Sequence, residues 1–146
     1  VIHSLVSAGY GHTVLLCSDG QAVACGRNVE GQCNIPDLPD GVTYVQVSAG
    51  GSHTVLLKSD GHVAVCGSNR SGECSIPDLP EGVMYTQVSA GLGHRVLLRS
   101  DGHVVAFGKN ADGKCNIPDL PDGVAYWSGV TKKTNRQKNG FSAKSS

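Results

Sequence analysis

Three histidines, His12, His53 and His94, stand 41 residues apart, and three cysteines, Cys33, Cys74 and Cys115, keep the same interval. Imidazole and thiolate are the side chains that hold zinc, so a metal site is the first chemistry to weigh. The spacing argues against it. A residue that recurs once per repeat does what every repeat needs, and equivalent residues of neighbouring repeats are held a full unit apart. The histidines are therefore read as structural, each expected to make a buried hydrogen bond at the loop of its own unit. The cysteines are read as small packing residues, since no Cys-x-x-Cys pair occurs in the chain. Asp19, Asp60 and Asp101 are also triplicated, each before a glycine, and are read as turn formers that bind local backbone. Asn28, Asn69 and Asn110 complete the recurring polar set.

Other chemistries fail on context. The acids of Asp37-Leu38-Pro39-Asp40 and its copies lie in a proline-bounded connector and lack the alternating oxygen ligands of a calcium loop. Gly9-Tyr10-Gly11 and Gly91-Leu92-Gly93 precede strand-like runs, so no helix dipole would favour a phosphate there. No Gly-x-Ser-x-Gly elbow is present. The expectation is a protein without catalytic residues, cofactor or metal.

The elements that carry these residues follow from the period. Units 1–41, 42–82 and 83–123 share more than half their positions, and a fixed period of this size marks units that bury their apolar faces by stacking. In the middle unit, Tyr44 to Val47 alternates as a half-buried strand, and Ser48 to Ser52 reads as a small-residue loop. His53 to Lys58 is apolar and β-rich, and Asp60-Gly61 signals a hairpin into His62 to Cys66. Glu73 to Ile76 is expected as a short fourth strand at the edge. Pro77 to Gly82 is the connector, because proline cannot donate to a ladder.

Four short antiparallel strands per unit describe a propeller blade. The fold class predicted is all-β: a partial β-propeller of three four-stranded antiparallel blades in an open arc. Residues 1–126 would hold the three repeats and the start of a broken fourth, and residues 127–146 a disordered basic tail. Residues 1–129 carry 7 basic and all 12 acidic residues, a net −5, whereas residues 130–146 carry five basic residues and no acid. An acidic body of this kind does not suit a dedicated nucleic-acid binder. Lys132-Lys133 and Arg136-x-Lys138 resemble a nuclear localisation signal, but a solvated tail is the reading preferred. No apolar run is long enough to span a bilayer as a helix. No secretory signal opens the sequence, so the six cysteines are expected to be reduced and the protein intracellular, cytoplasmic or nuclear. Val1 is already in phase with Val42 and Val83, which suggests a segment of something longer.

Gly9, His12, Thr13, Leu16, Asp19, Gly20, Gly26, Asn28, Gly31 and Gln32 form a pattern that resembles the regulator of chromosome condensation repeat family, and it recurs in all three units. Departures are Arg95, where the family favours Ser or Thr, and Glu73 and Lys114, where it favours Gln. Cys33-Asn34-Ile35-Pro36 replaces the usual ending and is similar to the short repeats of beta-lactamase inhibitor protein II. The resemblance implies a ring of about seven blades, of which this chain supplies three. It also implies routes to function: some members are guanine nucleotide exchange factors for small GTPases, and others flank the HECT domain of ubiquitin ligases. The repeat motif itself is scaffold and transfers neither activity. The function expected is a non-catalytic scaffold for a protein partner, with a ligase-recruiting or exchange role, or inhibition of an enzyme, as alternatives.

Differences between units point to where a partner could dock. The positions that vary within predicted loops are Tyr10, Gly51 and Leu92, together with Arg27, Val29 and Glu30, Ser68, Arg70 and Ser71, and Lys109, Ala111 and Asp112. Tyr10, Arg27, Glu30, Arg70, Leu92, Lys109 and Asp112 are the candidate partner-binding residues.

Overall fold

The computed structural model describes residues 5–69, 76–110, 113–124 and 126. Among them are nine strands: β1 (Val6–Ala8), β2 (His12–Leu16), β3 (Ala22–Gly26), β4 (Tyr44–Ala49), β5 (His53–Lys58), β6 (Val63–Gly67), β7 (Tyr85–Ala90), β8 (His94–Arg99) and β9 (Val104–Gly108). They form three antiparallel sheets of three strands, β1-β2-β3, β4-β5-β6 and β7-β8-β9, one per repeat. The chain is all-β over the described residues, and no helix there is long and apolar enough to cross a membrane.

Two expectations need correction. Each sheet has three strands among the described residues, where four were expected. In the first unit the segment expected to pair is spent on local turns: Gly31 N donates to the Asn28 carbonyl, Asn34 N to that of Gly31, and Ile35 N to that of Cys33. The Cys33 N–H goes to Asn28 Oδ1, and Pro36 has no N–H to give. The third unit repeats this through Asn110 Oδ1 and Cys115 N. Donors consumed locally cannot extend a ladder. The corresponding part of the middle unit, residues 70–75, lies outside the described residues, as do the tail at 127–146 and residues 111, 112 and 125. The second correction is local: Ser48 and Ala49 continue β4 instead of opening a loop, and β6 runs one residue later than expected.

The hairpins follow the Asp-Gly signal. Cys17 and Gln21 close a three-residue loop, with Cys17 N donating to the Gln21 carbonyl and Gly20 N to the Cys17 carbonyl. The Asp side chain fixes the turn: Asp19 Oδ1 accepts from Gln21 N at 3.0 Å, and Asp60 Oδ1 accepts from His62 N at 3.0 Å. Gly20, Gly61 and Gly102 carry φ near +85°, where L side chains are strained.

Sheets stack face to face. Val14 of the first sheet packs with Tyr44, Val47, Ala49 and Leu56 of the second. Val55 and Leu57, on the other face of β5, pack with Tyr85 and Leu97 of the third. Alternation along β5 thus sends Leu56 back to the first unit and Val55 and Leu57 forward to the third, which is why the run is apolar throughout. The segment His-Thr-Val-Leu-Leu is identical in β2 and β5, yet Leu56 is 0% exposed and its counterpart Leu15 is 38% exposed. The burial belongs to the neighbour and not to the residue.

Each unit is also tied to the connector before it. Tyr44 Oη donates to the Pro36 carbonyl at 2.6 Å, Tyr85 Oη to that of Pro77 at 3.1 Å, and Tyr126 Oη to that of Pro118. Burial pushes the Tyr44 phenol up to about 12, so it remains a donor at any physiological pH. The connector therefore spans from one sheet to the next under a fixed tether.

Gly67 and Gly82 separate two glycine roles. Gly67 has φ +115° and a Cβ there would meet the Ser52 carbonyl oxygen at 2.4 Å, whereas Gly82 has φ +79° with open space around it. We expect Gly67→Ala to cost more than about 2 kcal/mol and Gly82→Ala about 1 kcal/mol, read from denaturant midpoints of the two variants; equal losses would contradict the close approach.

Candidate functional site

The repeated histidines head the middle strand of each sheet, in β2, β5 and β8. His12 Nε2 lies 2.8 Å from Thr54 Oγ1, one unit further on, and Thr54 donates its hydroxyl to the Gln32 carbonyl at 2.7 Å. A hydroxyl has one proton, so Thr54 must accept from His12, which fixes the neutral imidazole with its proton on Nε2. Cys66 Sγ reaches the same Gln32 carbonyl at 3.4 Å. The bond thus crosses between units, not within the loop of one unit as the sequence suggested. Burial holds His12 below its ordinary value, with the His53 backbone pulling partly the other way. His94 is also lowered, by burial and then by the charge of Lys114.

Further links cross the same junctions. Ser7 Oγ accepts from Ala49 N, and Ser48 Oγ accepts from Ala90 N, both at 2.9 Å. Gln46 is buried between the second and third sheets, donating to the Thr86 carbonyl at 3.2 Å and accepting from Val88 N at 3.1 Å. Thr86 is the residue skipped by the β7–β8 register shift, so Gln46 satisfies a carbonyl freed by a bulge. The second junction also has its own chemistry. Arg95 and Phe107 occupy the places of Thr54 and Cys66, and the fully buried Arg95 guanidinium stands 4.8 Å from the Phe107 ring centroid. Sequence reasoning missed Gln46, Ser7, Ser48 and this pair. The recurrence of Ser at 7, 48 and 89, and the coincidence of two departures in one unit, were the available signals.

Cys17, Cys25, Cys33 and Cys115 are free thiols. They are less buried than the packing reading assumed, with Cys25 exposed and Cys33 and Cys115 half-buried. Cys33 Sγ contacts the Arg27 carbonyl at 3.3 Å, and Cys115 Sγ that of Lys109 at 3.5 Å. Burial, then Cys25, pushes the Cys33 thiol up, which keeps it protonated and a poor nucleophile. Cys74 lies outside the described residues. Asn28 and Asn110 each bridge a turn, donating to Asn34 and Asn116 respectively at 2.9 Å.

Both sets of varying loop residues come together at one end of the sheets. Arg27 N donates to the Gly11 carbonyl, Ser68 N to that of Ser52, and Lys109 N to that of Gly93, joining the loop after the third strand to the loop between the first two. Adjacent units are joined at the same end, with Tyr10 N donating to the Gly50 carbonyl and Gly51 N to that of Gly91, each at 3.1 Å. Tyr10, Gly51 and Leu92 therefore line up along a backbone-bonded row, with Tyr10 84% and Leu92 70% exposed. Arg27, Val29 and Lys109 are exposed beside them, and Glu30 is half-buried, its N–H bound to Gln32 Oε1. Arg70 and Asp112 fall outside the described residues. At the opposite end lie the hairpins, where Arg99 and His103 pair with the buried Asp101.

A family model for the regulator of chromosome condensation (RCC1) repeat matches residues 4–32, 44–73 and 85–114. The chain belongs to the RCC1 repeat family. Among solved structures, this RCC1-repeat chain is similar to human WBSCR16, at 21% identity and a TM-score of 0.67, over 82% of this chain and 39% of that one. It is similar to Prp20p from Saccharomyces cerevisiae, at 23% identity and a TM-score of 0.62, over 70% of this chain and 32% of that one. It is also similar to the CRINKLY WD40 ectodomain of the Arabidopsis thaliana receptor kinase ACR4, at 23% identity and a TM-score of 0.60, over 73% and 43%. These likenesses show the fold. The chain spans about two fifths of the length of WBSCR16 and one third of that of Prp20p. No curated protein sequence matches it.

A histidine held neutral by burial stays uncharged at pH values where its unfolded counterpart is already protonated, so the folded state binds fewer protons as pH drops through the ordinary value of 6.5. Stability should be full above that value and fall as pH is lowered through it, read as a declining melting temperature between about pH 7.5 and 5.5. His12→Gln should flatten part of that slope. Thr54→Val should cost about 1–3 kcal/mol at neutral pH, since it leaves the His12 donor and Gln32 carbonyl without their link; an unchanged denaturant midpoint would show the link to be idle.

Proposed function

We propose that this chain is a non-catalytic scaffold that binds a protein partner through the rim formed by Tyr10, Leu92, Arg27, Val29, Glu30 and Lys109, with Arg70 and Asp112 belonging to the same loops in sequence. One observation carries the reading: many of the residues identical in all units hold the sheets and their turns, while Tyr10, Leu92, Arg27, Val29 and Lys109, at loop positions that differ between units, gather at one exposed end. A rigid frame with an aromatic, an aliphatic and cationic side chains at one rim suits recognition of a protein surface. Yeast RCC1 (Prp20) has been solved bound to Kap60, and Prp20p was characterised for binding Gsp1p and histones, so structurally similar chains do bind proteins. An intracellular setting, cytoplasmic or nuclear, goes with reduced thiols.

The exchange-factor and ligase-recruiting alternatives rest on family membership. A nucleotide-release assay on small GTPases separates them from the scaffold reading: acceleration by this chain would favour exchange.

Photo-crosslinkers placed at Tyr10 or Leu92 should trap the partner, while crosslinkers at Ser59 or His62 on the hairpin end should not. Tyr10→Ala with Leu92→Ala should weaken capture by about tenfold or more with no change in melting temperature. Trapping through the hairpin end alone would overturn the assignment of the rim.

A further inference from the structure

We propose that copies of this chain associate head to tail, the leading face of the first unit docking on the trailing face of the third. The leading face is an apolar row: Val6 pairs with Leu15 and Leu15 with Val23 across β1, β2 and β3. All three are exposed, Val6 at 65%, with Leu5 exposed beside them. The equivalent rows, Val47-Leu56-Ala64 and Val88-Leu97-Val105, pack against the preceding sheet inside the chain. The first unit thus presents the surface that its two copies bury.

The trailing face carries the matching polar devices. Ser89 and Gln87 are exposed on β7, at the positions of Ser48 and Gln46, which cross the internal junction. His94 stands where His12 stands. An incoming first unit supplies what each requires. Thr13 takes the place of Thr54 beneath the histidine, and the carbonyl of Lys114 that of Gln32. Ala8 N takes the place of Ala49 N at the serine, and Val6 N that of Val88 N at the glutamine. Cys25 takes the place of Cys66. The first unit has Thr13 and not an arginine, so this junction would have the His-Thr chemistry of the first internal one. Two leading faces could meet only through apolar contact, with none of these links, and so the pairing is heterologous.

Sedimentation of the whole chain between about 1 and 100 μM should show concentration-dependent association, with an apparent mass at least twice that of the monomer. A chain that stays monomeric overturns the proposal and leaves the face to a repeat of another polypeptide. Val6→Asp spoils only the leading face and Ser89→Arg only the trailing face, and each variant alone should be monomeric with an unchanged β-type circular dichroism spectrum. Val23→Lys replaces Val6→Asp if that variant does not fold. Mixed one to one, the two variants retain one intact junction and should form a dimer that grows no further. A mixture that remains monomeric, or a Val6→Asp chain that still associates, refutes head-to-tail pairing.

Discussion

The structure depends on each small sheet being apolar on both faces. Three strands of three to six residues enclose no interior of their own. Val14, Leu56, Val55 and Leu97 find shelter only because another sheet lies 41 residues on or back. Stability in such an array is a sum over junctions, and the middle strand β5, covered on both sides, is its best protected element. The polar chain from His12 through Thr54 to Gln32, and the Gln46 bridge, set the spacing and register of those junctions, since hydrogen bonds have direction and hydrophobic contact has none. Packing brings the units together, and the polar links decide how they meet.

Much of this was legible in the sequence. The period itself fixed the number of units. Alternation and Asp-Gly placed the hairpins, and the middle strand of each sheet fell where His53 to Lys58 predicted it. That the described part of the first and third units adds no fourth strand was not legible, because Gln32 to Ile35 has the composition of an edge strand. What decides against it is the competition of Asn28 and Asn110 for backbone N–H groups, which depends on loop geometry. The partner of His12 was hidden for a related reason. A repeat shows that a residue is needed in every unit, but not whether it bonds within its unit or beyond it. That depends on which face of the strand looks forward. Arg95 looked like a lone departure and proves to be half of a stacked pair with Phe107.

The candidate rim was legible as a list of differing positions and not as a surface. Two loop sets separated by sixteen or more residues in the chain had no visible reason to meet. The reason is the hairpin topology: the turn before the second strand and the turn after the third leave the sheet at the same end. Arg27 N on the Gly11 carbonyl, and Lys109 N on that of Gly93, then fasten them. The cysteines were legible as thiols, while the exposure of Cys25 follows from its place on β3, an outer strand of its sheet, and that of Cys33 and Cys115 from their loops.

The inter-unit rungs at Tyr10 and Gly51 are built from main-chain atoms alone, so the frame does not register which side chain projects from position 10. Nineteen of the twenty amino acids bring the required amide; proline alone does not. Position 51 is narrower, because a methyl group there would collide with the Leu92 carbonyl. A lineage of such proteins can therefore diversify its outermost residues one at a time without re-engineering the scaffold, and natural selection meets its steric limit at the centre of the row before its ends.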